Sequence, residues 1–100
     1  MKYVRVRWNH ALPDEPILLS SELDDQMWET RKVEVYADGR ADFANHEVQS
    51  GSTKLGIEPY PTLEEIAADP QFEPTVISAE EFVAVWKQAK ADGLARREPL

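Results

Sequence analysis

Glu29-Thr30-Arg31-Lys32-Val33-Glu34-Val35-Tyr36-Ala37-Asp38-Gly39-Arg40-Ala41-Asp42-Phe43-Ala44 is the stretch that decides the fold. From Arg31 to Tyr36 charged and apolar residues alternate, the period of a half-buried strand, and Asp38-Gly39 is a hairpin turn pair. A two-residue loop would set Val35 against Asp42 and waste the apolar face. A three-residue loop, Ala37-Asp38-Gly39, with Gly39 left-handed at a bulge, sets Val33 against Phe43 and Val35 against Ala41, and is the preferred register.

Working outward, Tyr3 to Trp8 alternates strictly, with Val4, Val6 and Trp8 on one side and Tyr3, Arg5 and Arg7 on the other. This predicts a first strand with its valine side inward. Pro13 and Pro16 make the following segment a loop. A second strand is expected over Ile17 to Leu23, turning through Asp24-Asp25-Gln26 into Met27-Trp28 and the central strand. Pairing Ile17 with Val35, Leu19 with Val33 and Ser21 with Arg31 joins the apolar rows. The competing register stacks Glu22 against Glu29, two like charges across the ladder.

Pro59-Tyr60-Pro61 is an extended lead-in, because a residue before proline is pushed out of the helical region. Thr62 and Glu65 form a capping box for a short helix with Leu63, Ile66 and Ala67 as its stripe, ended by Pro70. Phe72 to Ile77 reads as extended around Pro74. Ser78 and Glu81 form a second capping box, and Ile77 and Phe82 a hydrophobic staple. Phe82, Val85, Trp86 and Ala89 recur at helical spacing, and Gly93 is the expected C-terminal cap. The fold expected is α+β: a four-stranded antiparallel meander sheet with one face covered by a short helix and a longer C-terminal helix, forming a single domain over 1–93 with a flexible tail over 94–100.

The chain of 100 residues is 42% hydrophobic and 30% charged, which fits a globular domain rather than a disordered one. It has no cysteine, so disulfides and thiolate zinc sites are excluded. The start alternates as a strand, no run approaches membrane-spanning length, and a cytoplasmic location is expected. Net charge is −8, and the segment from Leu55 to Trp86 supplies seven acids and no base. Such a block repels nucleic acid and attracts a basic protein.

His10, Asp14, Glu15, Glu22, Asp24, Asp25 and Glu29 match no calcium-loop spacing, and His46-Glu47 lacks the spacing that puts two imidazoles on one helical face. No metal site, no cofactor and no catalytic residue is assigned, since neither a phosphate cradle nor a nucleophile elbow is present. Strand periodicity places Arg31 on the inward row with Glu29, as a partly buried ion pair or a handle for a partner's acid. Trp28, beside the Asp24-Asp25 turn, is the candidate interface anchor. With the acids of the base-free block, the binding residues expected are Trp28, Arg31, Glu29, Glu58, Glu64, Glu65, Asp69 and Glu73.

The ordered set Trp8-x-His10, Glu15-Pro16-Ile17, Ser21-Glu22-Leu23-Asp24, Glu29-x-Arg31-Lys32-Val33-Glu34, Asp38-Gly39, Pro59-Tyr60-Pro61-x-Leu63-Glu64-Glu65-Ile66 and Ser78-x-x-Glu81-Phe82-x-x-x-Trp86 resembles a family of short bacterial proteins of unknown function. The resemblance covers most of residues 1–90 and implies a stand-alone cytoplasmic domain, bringing no activity or site with it. Two functions are expected from the residues. One is a non-enzymatic acidic module that binds a basic protein, of the immunity or inhibitor type directed at a toxin. The other is a small enzyme or ligand-binding domain using Arg31, Glu29 and His10. The chain is expected to be a monomer or a homodimer, with neither nucleic acid nor membrane as a partner.

Overall fold

The structure, a computed structural model, describes residues 1–95. Its elements are β1 (Lys2–Trp8), β2 (Leu18–Leu23), β3 (Glu29–Val35), β4 (Ala41–Ala44), α1 (Leu63–Ala67), β5 (Phe72–Val76) and α2 (Ala79–Ala95). The hairpin takes the three-residue loop: Val33 opposes Phe43, Val35 opposes Ala41, and Gly39 has φ +92°. Positive φ is the reason glycine stands there. The four-strand expectation is corrected to five, all antiparallel, in the order β4-β3-β2-β1-β5. The chain returns through α1 to lay β5 along the free side of β1, with Val6 opposite Pro74.

Proline within the run hid this strand, yet its place obeys the usual rule for proline in sheets. Gln71 and Ile77 bond to β1, through Asn9 N–H to the Gln71 carbonyl at 2.8 Å and Ile77 N–H to the Tyr3 carbonyl at 3.0 Å. By alternation Phe72, Pro74 and Val76 point their backbone groups off the sheet. Phe72 N–H donates to the Asp69 carbonyl at 3.0 Å, and Pro74 has no N–H to offer. On the opposite edge, the outward N–H groups of β4 are taken by side chains: Ala41 donates to Asp92 at 2.7 Å and Phe43 to Ser50 Oγ at 2.9 Å.

The sheet buries both faces, not one. Val33, Ala41, Phe43 and Ile77 pack with Phe82, Trp86 and Ala89 of α2, while Val4, Val6 and Leu23 pack with Leu63 and Ile66 of α1 and with Met27, Tyr60 and Phe72. Tyr3 belongs to the first cluster and Val4 to the second, and successive strand residues point to opposite faces. The two helices therefore lie on opposite sides. Tyr3 packs on Phe82 at 5.3 Å between ring centroids, and Tyr36 is buried. Phe43 and Phe82 are 1% and 0% exposed, each burial worth about 1.5–3 kcal/mol.

The β2–β3 register is also corrected. Leu18 opposes Val35, Ser20 opposes Val33 and Glu22 opposes Arg31, one residue away from the expected pairing. With both faces covered, apolar alternation no longer selects one register, and the Glu22–Arg31 pair decides it. Between Glu22/Leu23 the ladder shifts, since Leu23 pairs with Glu29 and Thr30 is left over as a bulge.

Both capping boxes form. Glu65 N–H donates to Thr62 Oγ1 and Thr62 N–H to Glu65 Oε1; Ser78 and Glu81 repeat the exchange. Gly93 is not a cap. The helix runs past it to Ala95, and the rest of the expected tail lies outside the described residues. Gly93 is buried because α2 crosses β4 there: a Cβ would stand 2.6 Å from Ser50 Oγ and 3.2 Å from Phe43 Cδ1.

Gly93→Ala is therefore expected to lower the urea midpoint by overpacking, at a cost of about 1–3 kcal/mol. Gly39→Ala, which meets no atom within 4 Å, acts through backbone strain alone, at about 1–2 kcal/mol. Equal stability of Gly93→Ala and the unaltered protein would contradict the close approach of α2 to β4.

Candidate functional site

The Thr30 bulge determines where the central charges go. Arg31 and Glu29 were expected on one inward row; the extra residue changes the parity of β3, so they point to opposite faces. The expected Arg31–Glu29 pair is replaced by two separate pairs.

On the α2 face, Arg31 Nε donates to Glu22 Oε1 at 2.9 Å and Nη2 to Oε2 at 2.6 Å, a two-point contact. Thr30 Oγ1 donates to the same carboxylate at 2.7 Å. The guanidinium lies 5.1 Å from the Phe82 ring centroid and 5.0 Å from that of Trp86. This is a stacked, hydrogen-bonded arginine closing one end of the core. The Arg31 hydrogen bond, helped by Thr30, holds the Glu22 carboxyl below its ordinary value against the opposing effect of burial.

On the α1 face, β2 and β3 contribute Ser21, Glu29 and Lys32 to the floor of a groove. Its walls are Val6, Leu19, Ile66 and Phe72, and Tyr60, Pro61, Glu65 and Asp69 complete the lining. The volume is about 290 Å³. Glu29 is 5% exposed and fully engaged: Oε2 accepts from Ser21 Oγ at 2.7 Å, and Oε1 accepts from Gly56 N–H at 2.6 Å and lies 3.1 Å from Lys32 Nζ. A Cβ at Gly56 would stand 2.9 Å from Oε1, so a larger residue there would oblige the Glu29 carboxylate to shift. Burial, and then the Glu29 charge, push the Tyr60 phenol up to about 12. Tyr60 N–H donates to the Met27 carbonyl at 2.7 Å, tying the Pro59-Tyr60-Pro61 lead-in to the β2–β3 turn. That turn is organised by Asp24, whose Oδ1 accepts from Gln26 and Trp28 N–H groups and leaves Met27 at φ +68°.

The expected site residues divide accordingly. Glu29, Glu65 and Asp69 share the groove. Trp28, 41% exposed, and exposed Glu58 flank the loop junction beside it, and Glu64 is exposed on α1. Arg31 and Glu73 are elsewhere: Glu73 sits across from Arg7 on the α2 side of the sheet and accepts from Asn9 Nδ2 at 2.8 Å. His10 accepts Leu12 N–H at Nδ1 and donates from Nε2 to the Pro16 carbonyl at 2.8 Å, with its ring on Trp8. It is a fully engaged strand-end histidine, and it does not line the groove that holds Glu29. Sequence reasoning missed Lys32, Ser21 and Tyr60. The proline pair around Tyr60 was the available signal, since it fixes the backbone on both sides of an aromatic residue.

The fold and groove define a small α+β domain with a polar floor beneath one helix. Residues 2–91 match the family described as a domain of unknown function (DUF6881), and the chain belongs to that family. No curated protein and no solved structure matches it. Among the described residues, no helix is long and apolar enough to cross a membrane, and no group of three or more His, Cys, Asp or Glu side chains is placed to hold a metal ion.

Removing Arg31 alone leaves the Glu22 carboxylate buried and uncompensated, and Arg31→Met should cost about 3 kcal/mol; the double variant Glu22→Gln/Arg31→Met should recover most of that. Because the folded Glu22 value is lowered, its stabilisation is complete above the ordinary 4.5 and is lost as pH falls through the lower folded value. The stability gap between the wild type and Glu22→Gln should close over that acid range in urea titrations. A gap that stays constant would refute the assigned pair.

Proposed function

We propose that this domain is a non-catalytic cytoplasmic binding module for a basic protein partner, of the kind an inhibitor or immunity protein would be, and that it engages the partner over the α1 groove. The observation that carries this reading is the union of an apolar-walled cleft with two acids, Glu65 and Asp69, in its lining. Each acid uses one oxygen locally, Glu65 Oε1 on Thr62 N–H and Asp69 Oδ1 on Gln71 N–H. The carboxylates are thereby held in place while still presenting charge to a partner. Glu58, Glu64 and Trp28 are exposed as well, and acidic residues around an apolar centre are what a basic interface requires. The engaged state of Glu29, with both oxygens occupied, favours a fixed floor over a proton-transferring group.

The test is a titration of isotope-labelled protein with the capped tripeptide Ac-Arg-Leu-Arg-NH2 and its counterpart Ac-Glu-Leu-Glu-NH2, following the amide signals of Ile66 and Phe72. Only the basic peptide should bind, more weakly as salt is raised. The Glu65→Gln/Asp69→Asn variant, which can keep both local hydrogen bonds, should weaken it about two- to thirtyfold, the range for two screened ion pairs. Equal binding of the two peptides would refute the proposal.

A further inference from the structure

The groove's charges are arranged in depth. Its floor holds Glu29, whose two oxygens are already met by Ser21, Gly56 and the Lys32 ammonium. Lys32, with its side chain 17% exposed, is the floor's own cation. An arriving guanidinium or ammonium would meet the like charge of Lys32 there, and a Glu29 carboxylate whose charge is already compensated. The walls of the groove, Val6, Leu19, Ile66 and Phe72, offer only apolar surface. Free carboxylate capacity is found on the helix side, at Glu65 and Asp69. A volume of about 290 Å³ is at the small end of ligand clefts and suits one side chain better than a large cofactor.

We infer that the groove is an anchor pocket for a single uncharged, apolar side chain of about leucine size, flanked in the partner by lysine or arginine residues whose charges stop at Glu65 and Asp69, and that Lys32 sets this order by keeping cations out of the floor. This rests on the basic-partner reading above and specifies what that partner presents. The recognised feature is an apolar residue between bases, and a run of bases alone lacks it. Lys32 is thus a specificity residue: its own ion pair neutralises Glu29, so the base-recognising charge of the site is confined to the rim.

The experiment compares Ac-Arg-Leu-Arg-NH2, Ac-Arg-Ala-Arg-NH2 and Ac-Arg-Arg-Arg-NH2 on the wild-type protein and on Lys32→Met. On the wild type the leucine peptide should bind roughly tenfold tighter than the alanine peptide, the effect of burying one such side chain. The all-arginine peptide should bind no better than the alanine one despite its extra charge. In Lys32→Met, where Glu29 has lost its cation, the all-arginine peptide should gain on the leucine peptide. Lys32→Gln provides the same comparison should the methionine variant fold poorly, and the wild-type series tests the anchor without either. If the all-arginine peptide binds the wild type as tightly as the leucine peptide, the anchor pocket is refuted while the basic-partner reading stands. If no basic peptide binds, both fall. If neither Lys32 variant alters the leucine-to-arginine ratio, the role given to Lys32 is wrong.

Discussion

The structure depends on how one extra residue in β3 distributes charge. Without the Thr30 bulge, Arg31 would still oppose Glu22, but Glu29 would join them on the same face, away from Ser21. With it, each face of the sheet receives its own compensated pair: Glu22 with Arg31 among aromatic rings, and Glu29 with Lys32 beneath α1. Buried charges persist only when paired and hydrogen-bonded, so the bulge is a condition for burying both sides of the sheet. The aromatic core under α2 and the polar floor under α1 are two results of the same irregularity.

This arrangement also explains how an acidic chain tolerates carboxylates in its interior. Glu22 and Glu29 are each met by a cation and by a hydroxyl donor, from Thr30 and Ser21 respectively. The bases of β3 are consumed in this way. The acid excess is left to the segment from Leu55 to Trp86, where Glu58, Glu64, Glu65, Glu73, Glu80 and Glu81 are all exposed to water. The charge asymmetry along the chain thus becomes an asymmetry between a neutralised sheet and an anionic periphery.

Local rules were legible in the sequence and non-local ones were not. The hairpin register followed from Gly39 and the Val33–Phe43 match, and both capping boxes followed from residue spacing, because turn and cap chemistry is confined to a few neighbours. The fifth strand was hidden by Pro74, which argues against a ladder until one knows that the strand lies at an edge. The face of each strand could not be read once both faces were buried, because Val4 and Val33 look alike in a pattern and yet pack under different helices. Of the groove's lining, Glu65 and Asp69 were singled out as acids of the base-free segment and Glu29 by strand periodicity. Lys32 and Tyr60 were not, because only the bulge and the folded loop bring them beside Glu29.

The two margins of the sheet carry a final implication. On β4 a serine and an aspartate occupy outward amides, and on β5 an imino acid removes one outright. Main-chain templating, the route by which exposed strands recruit copies of themselves into fibres, thereby loses the outward donors of β4 and, on β5, those at Phe72 and Pro74.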